Sequence, residues 1–259
     1  MYVPYFNHRN HKKFGFGPMH WVDKNKTLLW YPSDTEEKFD NHWTNPRQKE
    51  LLIKSGWGKN SITYKRNDAA FRMNLDMINI IPGECDFYLG CSHTFGVGIN
   101  LEDTWGWKLS QKKGLTFVNL GCPGGSFETQ YRMLVSWAGV LKPRRAFTLG
   151  SYEGRREILH PDGVAEQFGS WVSHEPQYTM YRRMSNENEE LISSLRTLDA
   201  MRAVCIRHSI ELYTIDRNIR NDVLRIGPKD KMARDLIHYS PDWHSRIAEL
   251  PDIRWERLV

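Results

Sequence analysis

Two distant pieces of this chain carry residue types that nucleophilic chemistry needs. In "DFYLGCSHTFGVGIN", Asp86 to Asn100, an apolar run ends in Gly90 and is followed by Cys91, Ser92, His93 and further glycines. Far downstream, "ARDLIHYSPDWHSRIAEL" sets Asp235 and His238 three positions apart. A serine hydroxyl is a poor nucleophile at neutral pH unless an imidazole takes its proton and a carboxylate holds that imidazole's tautomer. Donors must also point at the oxyanion that forms. Ser92, His238 and Asp235 supply the first set. The amides of Ser92 and of Gly124, in "NLGCPGGS", supply the second. The small neighbours of Ser92 leave room for a carbonyl to approach. Asp216 is the alternative orienting acid. His93 adjoins Ser92 and points away from it, so it reads as a substrate-side or structural residue. His244 is expected to contact solvent or the N-terminal segment.

The elements that must position these residues follow from hydrophobic periodicity. "CDFYLG", "LTFVNLG", "RAFTLG" and "IELYTID" are strand-length apolar runs, the first three ending in glycine. Phe127, Tyr131, Leu134, Ala138 and Leu141 repeat at helical spacing after the second run. Leu191, Leu195, Leu198, Met201, Cys205 and His208 do so before the fourth. Strands alternating with helices predict right-handed crossovers and a parallel sheet covered on both faces. Ligands bind such sheets beyond the carboxyl ends of the strands, where Ser92 is expected. Ser126 should cap the helix after the second strand, and Ser240 with Pro241 should open the last helix. Residues 1–82 read as an N-terminal extension or cap subdomain, with a helix over "NPRQKELLIKSG" capped by Asn45, begun by Pro46 and stopped by Gly56. Residues 83–259 form the α/β domain.

The order of these signals is more specific than any one of them, and it resembles the SGNH (GDSL-type) hydrolase family over about residues 83–250. "LGCSHTFGVG" resembles its first block, with Cys91 at the usual aspartate. "VNLGCPGGS" resembles its second, placing the oxyanion glycine at Gly124. "DLIHYSPDWHSRIA" resembles its last, placing Asp235 and His238. The resemblance implies a flavodoxin-like three-layer α/β/α fold and hydrolysis of esters or O-acyl groups without metal or other cofactor. One block departs: in "TLGSYEGRRE", Tyr152 takes the place of the family's oxyanion asparagine, with Glu153 beside it. Tyr152 or Ser151 then has to supply that donor, or the site is slow. Glu153, Arg155 and Arg156 are expected either to clamp a polar substrate or to form structural ion pairs.

Composition limits the other classes. The chain has 259 residues, 40% of them hydrophobic, and a formal charge of +5. Arginine doublets at 144–145, 155–156 and 182–183 lack an accompanying nucleic-acid-binding motif, so no nucleic-acid partner is expected. No apolar run approaches the ~20 residues of a membrane span. "MYVPYFNHRNHKK" does not read as a secretion leader, and four scattered cysteines fit reduced thiols of an intracellular protein. The substrate expected is a small-molecule or carbohydrate ester. The competing readings are a catalytically weakened binding module of the same fold, an acyltransferase, and a flavodoxin-like cofactor binder that cradles a phosphate with "SHTFG".

Overall fold

The computed structural model describes residues 24–151, 154–159, 165–169, 176–184, 186–215, 231–249 and 255–259. The N-terminal part holds a short antiparallel pair, β1 (Thr27–Leu28) and β2 (Tyr64–Lys65). Between them lie helices α1 (Glu36–Thr44) and α2 (Pro46–Lys54). As expected, Asn45 Oδ1 accepts from the amides of Arg47 and Gln48, Pro46 opens α2, and Gly56 leaves it with φ +79°.

The apolar runs then become β3 (Cys85–Gly90), β4 (Thr116–Gly121) and β5 (Arg145–Thr148). A hairpin of β6 (Arg156–Leu159) and β7 (Ala165–Phe168) follows, and then helix α6 (Pro176–Met184). The sheet is completed by β8 (Glu211–Ile215) and β9 (Trp255–Arg257). Its order is β4-β3-β5-β8-β9; the first four strands are parallel and β9 is an antiparallel edge. The chain starts this sheet at β3, moves out to β4, and returns across β3 to β5. That reversal makes the carboxyl ends of β3 and β5 the topological switch point.

Alternation along β3 assigns the two faces. Phe87 and Leu89 pack with Met133 and Leu134 of α5 (Phe127–Leu141) and with Met201 and Cys205 of α7 (Glu187–His208). Tyr88 points the other way, among Trp105 and Leu109 of α4 (Trp105–Lys113) and Trp243 and Ile247 of α8 (Pro241–Glu249). The fold is thus a three-layer α/β/α sandwich, and every residue of β3 is buried, as a strand covered on both faces must be.

Two expectations need correction. Helix α7 forms, yet Leu191 and Leu195 on its predicted apolar stripe are exposed, and only Met201 and Cys205 of the stripe are fully buried. The cause is length. A 22-residue helix spans about 33 Å, whereas a five-residue strand spans roughly 17 Å, so the early turns project past the sheet. Ser126 does cap α5, in a reciprocal box with Thr129. Ser240 does not cap through its side chain: its buried Oγ has no hydrogen-bond partner among the described residues.

The strand-ending glycines have a steric origin. The four-residue helix α3 (Ser92–Phe95) lies across the ends of β3 and β4. A Cβ on Gly90 would sit 2.0 Å from Thr94 Oγ1, and one on Gly121 would sit 2.4 Å from the Phe95 nitrogen. No side chain fits where the Ser92 turn crosses the sheet. Gly121→Ala is therefore expected to lower the unfolding free energy by about 1–3 kcal/mol in denaturant titrations. Unchanged stability would contradict this seating of α3.

Candidate active site

Ser92 is the first residue of α3, immediately beyond β3, and is buried. Its carbonyl accepts from Gly96 and Val97, which curls the chain into a loop that runs back under the rim through Gly98. Gly96 and Gly98 both have positive φ, at +84° and +74°.

Asp235 and His238 lie on a loop closed at its base by Ala233 N–H donating to His238 C=O. Asp235 is fully buried, and its two oxygens have separate tasks. Oδ1 accepts from the backbone amides of Ile237 and His238 at 3.1 and 3.0 Å. Oδ2 pairs with His238 Nδ1 at 2.5 Å. With Nδ1–H donating to the carboxylate, Nε2 carries the lone pair. The His238 side chain is 12% exposed, so the dyad reaches the surface through the imidazole only.

The two pieces meet. Arg234 N–H donates to Gly98 C=O at 2.8 Å, and a Cβ on Gly98 would lie 3.2 Å from Asp235 Oδ1. The His93 ring is 5.2 Å from that of His238, and it also packs on Tyr239 and Trp243. Ser92, Asp235 and His238 therefore share one rim of the sheet. No hydrogen bond joins Ser92 Oγ to His238 among the described residues. His93 belongs to the packing that carries His238.

Gly124, with φ +77°, sits in the turn after β4. That turn is held from behind: Ser151 Oγ donates to Gly125 C=O at 2.7 Å and accepts from Gln130 Nε2 at 3.0 Å. Gln130 Oε1 in turn accepts from Thr148 Oγ1 at 2.5 Å. Ser151 thus braces the turn that carries Gly124. Among the described residues, neither Ser92 N–H nor Gly124 N–H is taken by a backbone carbonyl. Tyr152, Glu153 and Asp216 lie outside the described residues.

Arg155 is half-buried ahead of β6. Arg156 pairs with Glu128 at 3.0 Å and lies over the Tyr181 ring, so for Arg156 the structural ion pair is the outcome. Next to it, Arg132 and Glu157 form a buried two-bond pair that fastens the hairpin to α5. The four cysteines are buried and form no disulfide among the described residues, and burial pushes the Cys91 neighbour Cys122 well above the ordinary thiol range. Among the described residues, no cluster of three His, Cys, Asp or Glu side chains is placed to hold a metal ion. No described helix is long and apolar enough to cross a membrane.

Sequence reading missed four residues that hold the rim. Arg234 is fully buried and donates to Asp34, to Lys59 C=O and to Leu29 C=O, with its guanidinium 4.1 Å from the Trp30 ring centre. Arg72 is also buried and donates to the carbonyls of Phe95, Gly96, Ile99 and Thr63; burial pushes it down to about 10. Trp57 Nε1 donates to Met232 C=O at 2.7 Å. His244 is the fourth: it faces neither solvent nor the N-terminal segment, and instead Nδ1 accepts from Trp105 N–H at the start of α4.

Comparisons with known proteins place little beside this chain. No protein-family model matches the sequence, and no curated protein matches it. Among solved structures, a protein from Desulfitobacterium hafniense DCB-2 named for the G-D-S-L lipolytic family aligns with a TM-score of 0.40 at 14% identity. The alignment covers 64% of this chain and 97% of that one.

Burial holds the His244 imidazole down to about 3, and repulsion from His238, Lys108 and Arg72 adds to it. The unfolded chain protonates this residue near pH 6.5, whereas the folded protein does not until about pH 3. Its stabilising contribution is therefore whole above pH about 6.5 and falls as the pH drops, by about 1.4 kcal/mol per unit. In His244→Asn an amide oxygen still accepts from Trp105. Between pH 6.5 and 5, urea titrations of this variant should show about 1.5–2 kcal/mol less loss than wild type. Parallel losses in the two proteins would refute a neutral, buried His244.

Proposed function

We propose that this protein is a serine hydrolase acting on carboxylic esters, with Ser92 as nucleophile, His238 as general acid and base, and Asp235 as its orienter. The observation that carries this reading is the 2.5 Å Asp235–His238 contact on a loop bonded to the Ser92 loop. A carboxylate already bound by two amides, with its remaining oxygen on Nδ1, serves to fix a tautomer and stabilise an imidazolium.

In the reaction, Ser92 Oγ attacks the ester carbonyl carbon while its proton passes to His238 Nε2. This requires the two groups to close to about 2.6–3.2 Å once substrate is bound. The tetrahedral oxyanion lies against the amides of Ser92 and Gly124, with Tyr152 as the proposed third donor. His238 then protonates the leaving alkoxide, the alcohol departs, and Ser92 holds the acyl group. Water attacks that ester, gives a proton to His238, and releases the acid as Ser92 recovers its own. No cofactor takes part in these steps.

The proposed substrate is a short-chain ester such as an O-acetyl group on a carbohydrate. The engagement of Arg156 with Glu128 leaves the polar part of this reading to Arg155 and Glu153.

Turnover of an activated acetyl ester and fluorophosphonate labelling mapped to Ser92 test the proposal. Ser92→Ala and His238→Ala should each lower kcat by at least about 10³-fold, and Asp235→Asn by about 10⁴-fold. Turnover in Ser92→Ala equal to that of wild type would remove it.

A further inference from the structure

Four groups from three parts of the chain form a closed ring of hydrogen bonds beside the candidate site. Asp34 Oδ2 accepts from Arg234 Nη2 at 2.6 Å and from the Tyr64 hydroxyl at 2.5 Å. The Tyr64 oxygen accepts from Gly98 N–H at 2.8 Å. Gly98 C=O accepts from Arg234 N–H at 2.8 Å, which returns the circuit to its start. Asp34 and Tyr64 belong to the N-terminal segment, Gly98 to the loop that follows Ser92, and Arg234 to the loop that carries Asp235 and His238.

The geometry points to Asp34, Tyr64 and Arg234 as positioning residues that set the separation between the Ser92 turn and the Asp235–His238 dyad. Each loop is joined to the ring by its backbone, so a change in the ring moves main chain and not only side chains. Arg234 precedes Asp235 directly, and the Cβ space of Gly98 is bounded by Ala233, Arg234 and Asp235 Oδ1. The loops approach so closely there that only glycine fits, and the backbone bond that fixes their register is a member of the ring.

The ring has no freedom to relax alone. Arg234 and Asp34 are buried, and the Tyr64 ring is wedged beside Tyr31 and Phe95 beneath the Arg72 guanidinium. Gly98 N–H can reach Asp34 only through the Tyr64 hydroxyl. Removing that oxygen opens the ring at one atom and leaves the aromatic packing in place. A shift of an ångström between nucleophile and base is enough to cost about 10²-fold in rate.

The kinetic part of this inference rests on the esterase reading; the geometric part does not. Tyr64→Phe is compared with Leu52→Val, which loosens the same N-terminal core and removes none of the ring's hydrogen bonds. Tyr64→Phe is expected to lower kcat for an activated acetyl ester by about 10- to 10²-fold at unchanged KM. Leu52→Val should lower Tm with kcat unchanged. Wild-type kcat in Tyr64→Phe, or an equal loss in both variants, overturns the positioning role. Should wild type neither turn over the ester nor take the fluorophosphonate label, the esterase reading falls. The ring is then judged by the proton resonance of His238 Nδ1–H, assigned by its loss in His238→Ala. That resonance should move or broaden in Tyr64→Phe and stay in Leu52→Val; an unmoved resonance overturns the inference. Wild type alone supplies a further check that needs no variant: slow hydrogen exchange at the Gly98 and Arg234 amides is expected, and rapid exchange at both overturns the ring.

Discussion

A guanidinium with no access to water must have its protons satisfied and its charge met, and Arg234 organises this fold around that requirement. Removing such a charge from solvent costs several kcal/mol. Here the cost is offset by a carboxylate, two carbonyls and an indole face, drawn from Leu29, Trp30, Asp34 and Lys59. None of these partners lies in the α/β sandwich. The loop bearing Asp235 and His238 is therefore shaped by the N-terminal segment, and that segment cannot shift without uncovering a buried charge. Arg72 repeats the device on the neighbouring loop, using four carbonyls and two aromatic faces.

Between these anchors the sheet supplies the other half of the geometry. Reversal of strand order at β3 opens a crevice at its carboxyl end, and glycines at the ends of β3 and β4 let a short helix lie directly over that crevice. The Ser92 turn is thus defined by what is absent, two Cβ atoms. The dyad loop is defined by what is buried, one arginine. The cluster shared by Tyr31, Tyr64, Phe95, Val97, Ile99 and Ala233 joins the two descriptions in a single apolar contact.

Much of this was legible in the sequence, for a physical reason. Strands buried on both faces are largely apolar, and terminal glycines mark close crossings, so β3 and β4 could be read nearly residue by residue; β5 and β8 are legible from their apolar runs. Asn45, Pro46 and Ser126 act within a few residues of where they stand, and local rules find them. The Asp235–His238 pair is equally local. Arg234 is not: it sits among polar residues at a spacing common on solvated surfaces, and its partner Asp34 stands far upstream in "YPSDTEEKFD". His244 escaped for the same reason, since its partner is the backbone of Trp105. The stripe of α7 misled in the opposite direction, because periodicity reports an apolar face without reporting how far the sheet extends beneath it.

Asp34 and Arg234 are separated by 200 residues in the chain. At the usual pace of protein synthesis, the ribosome needs about 10–40 s to travel between them. Throughout that interval the nascent chain carries the acidic half of the anchor, with Trp30 and Tyr64, and no cation to close it. The four parallel strands can gather in the meantime, but the rim beside Gly98 can be completed only after the arginine emerges.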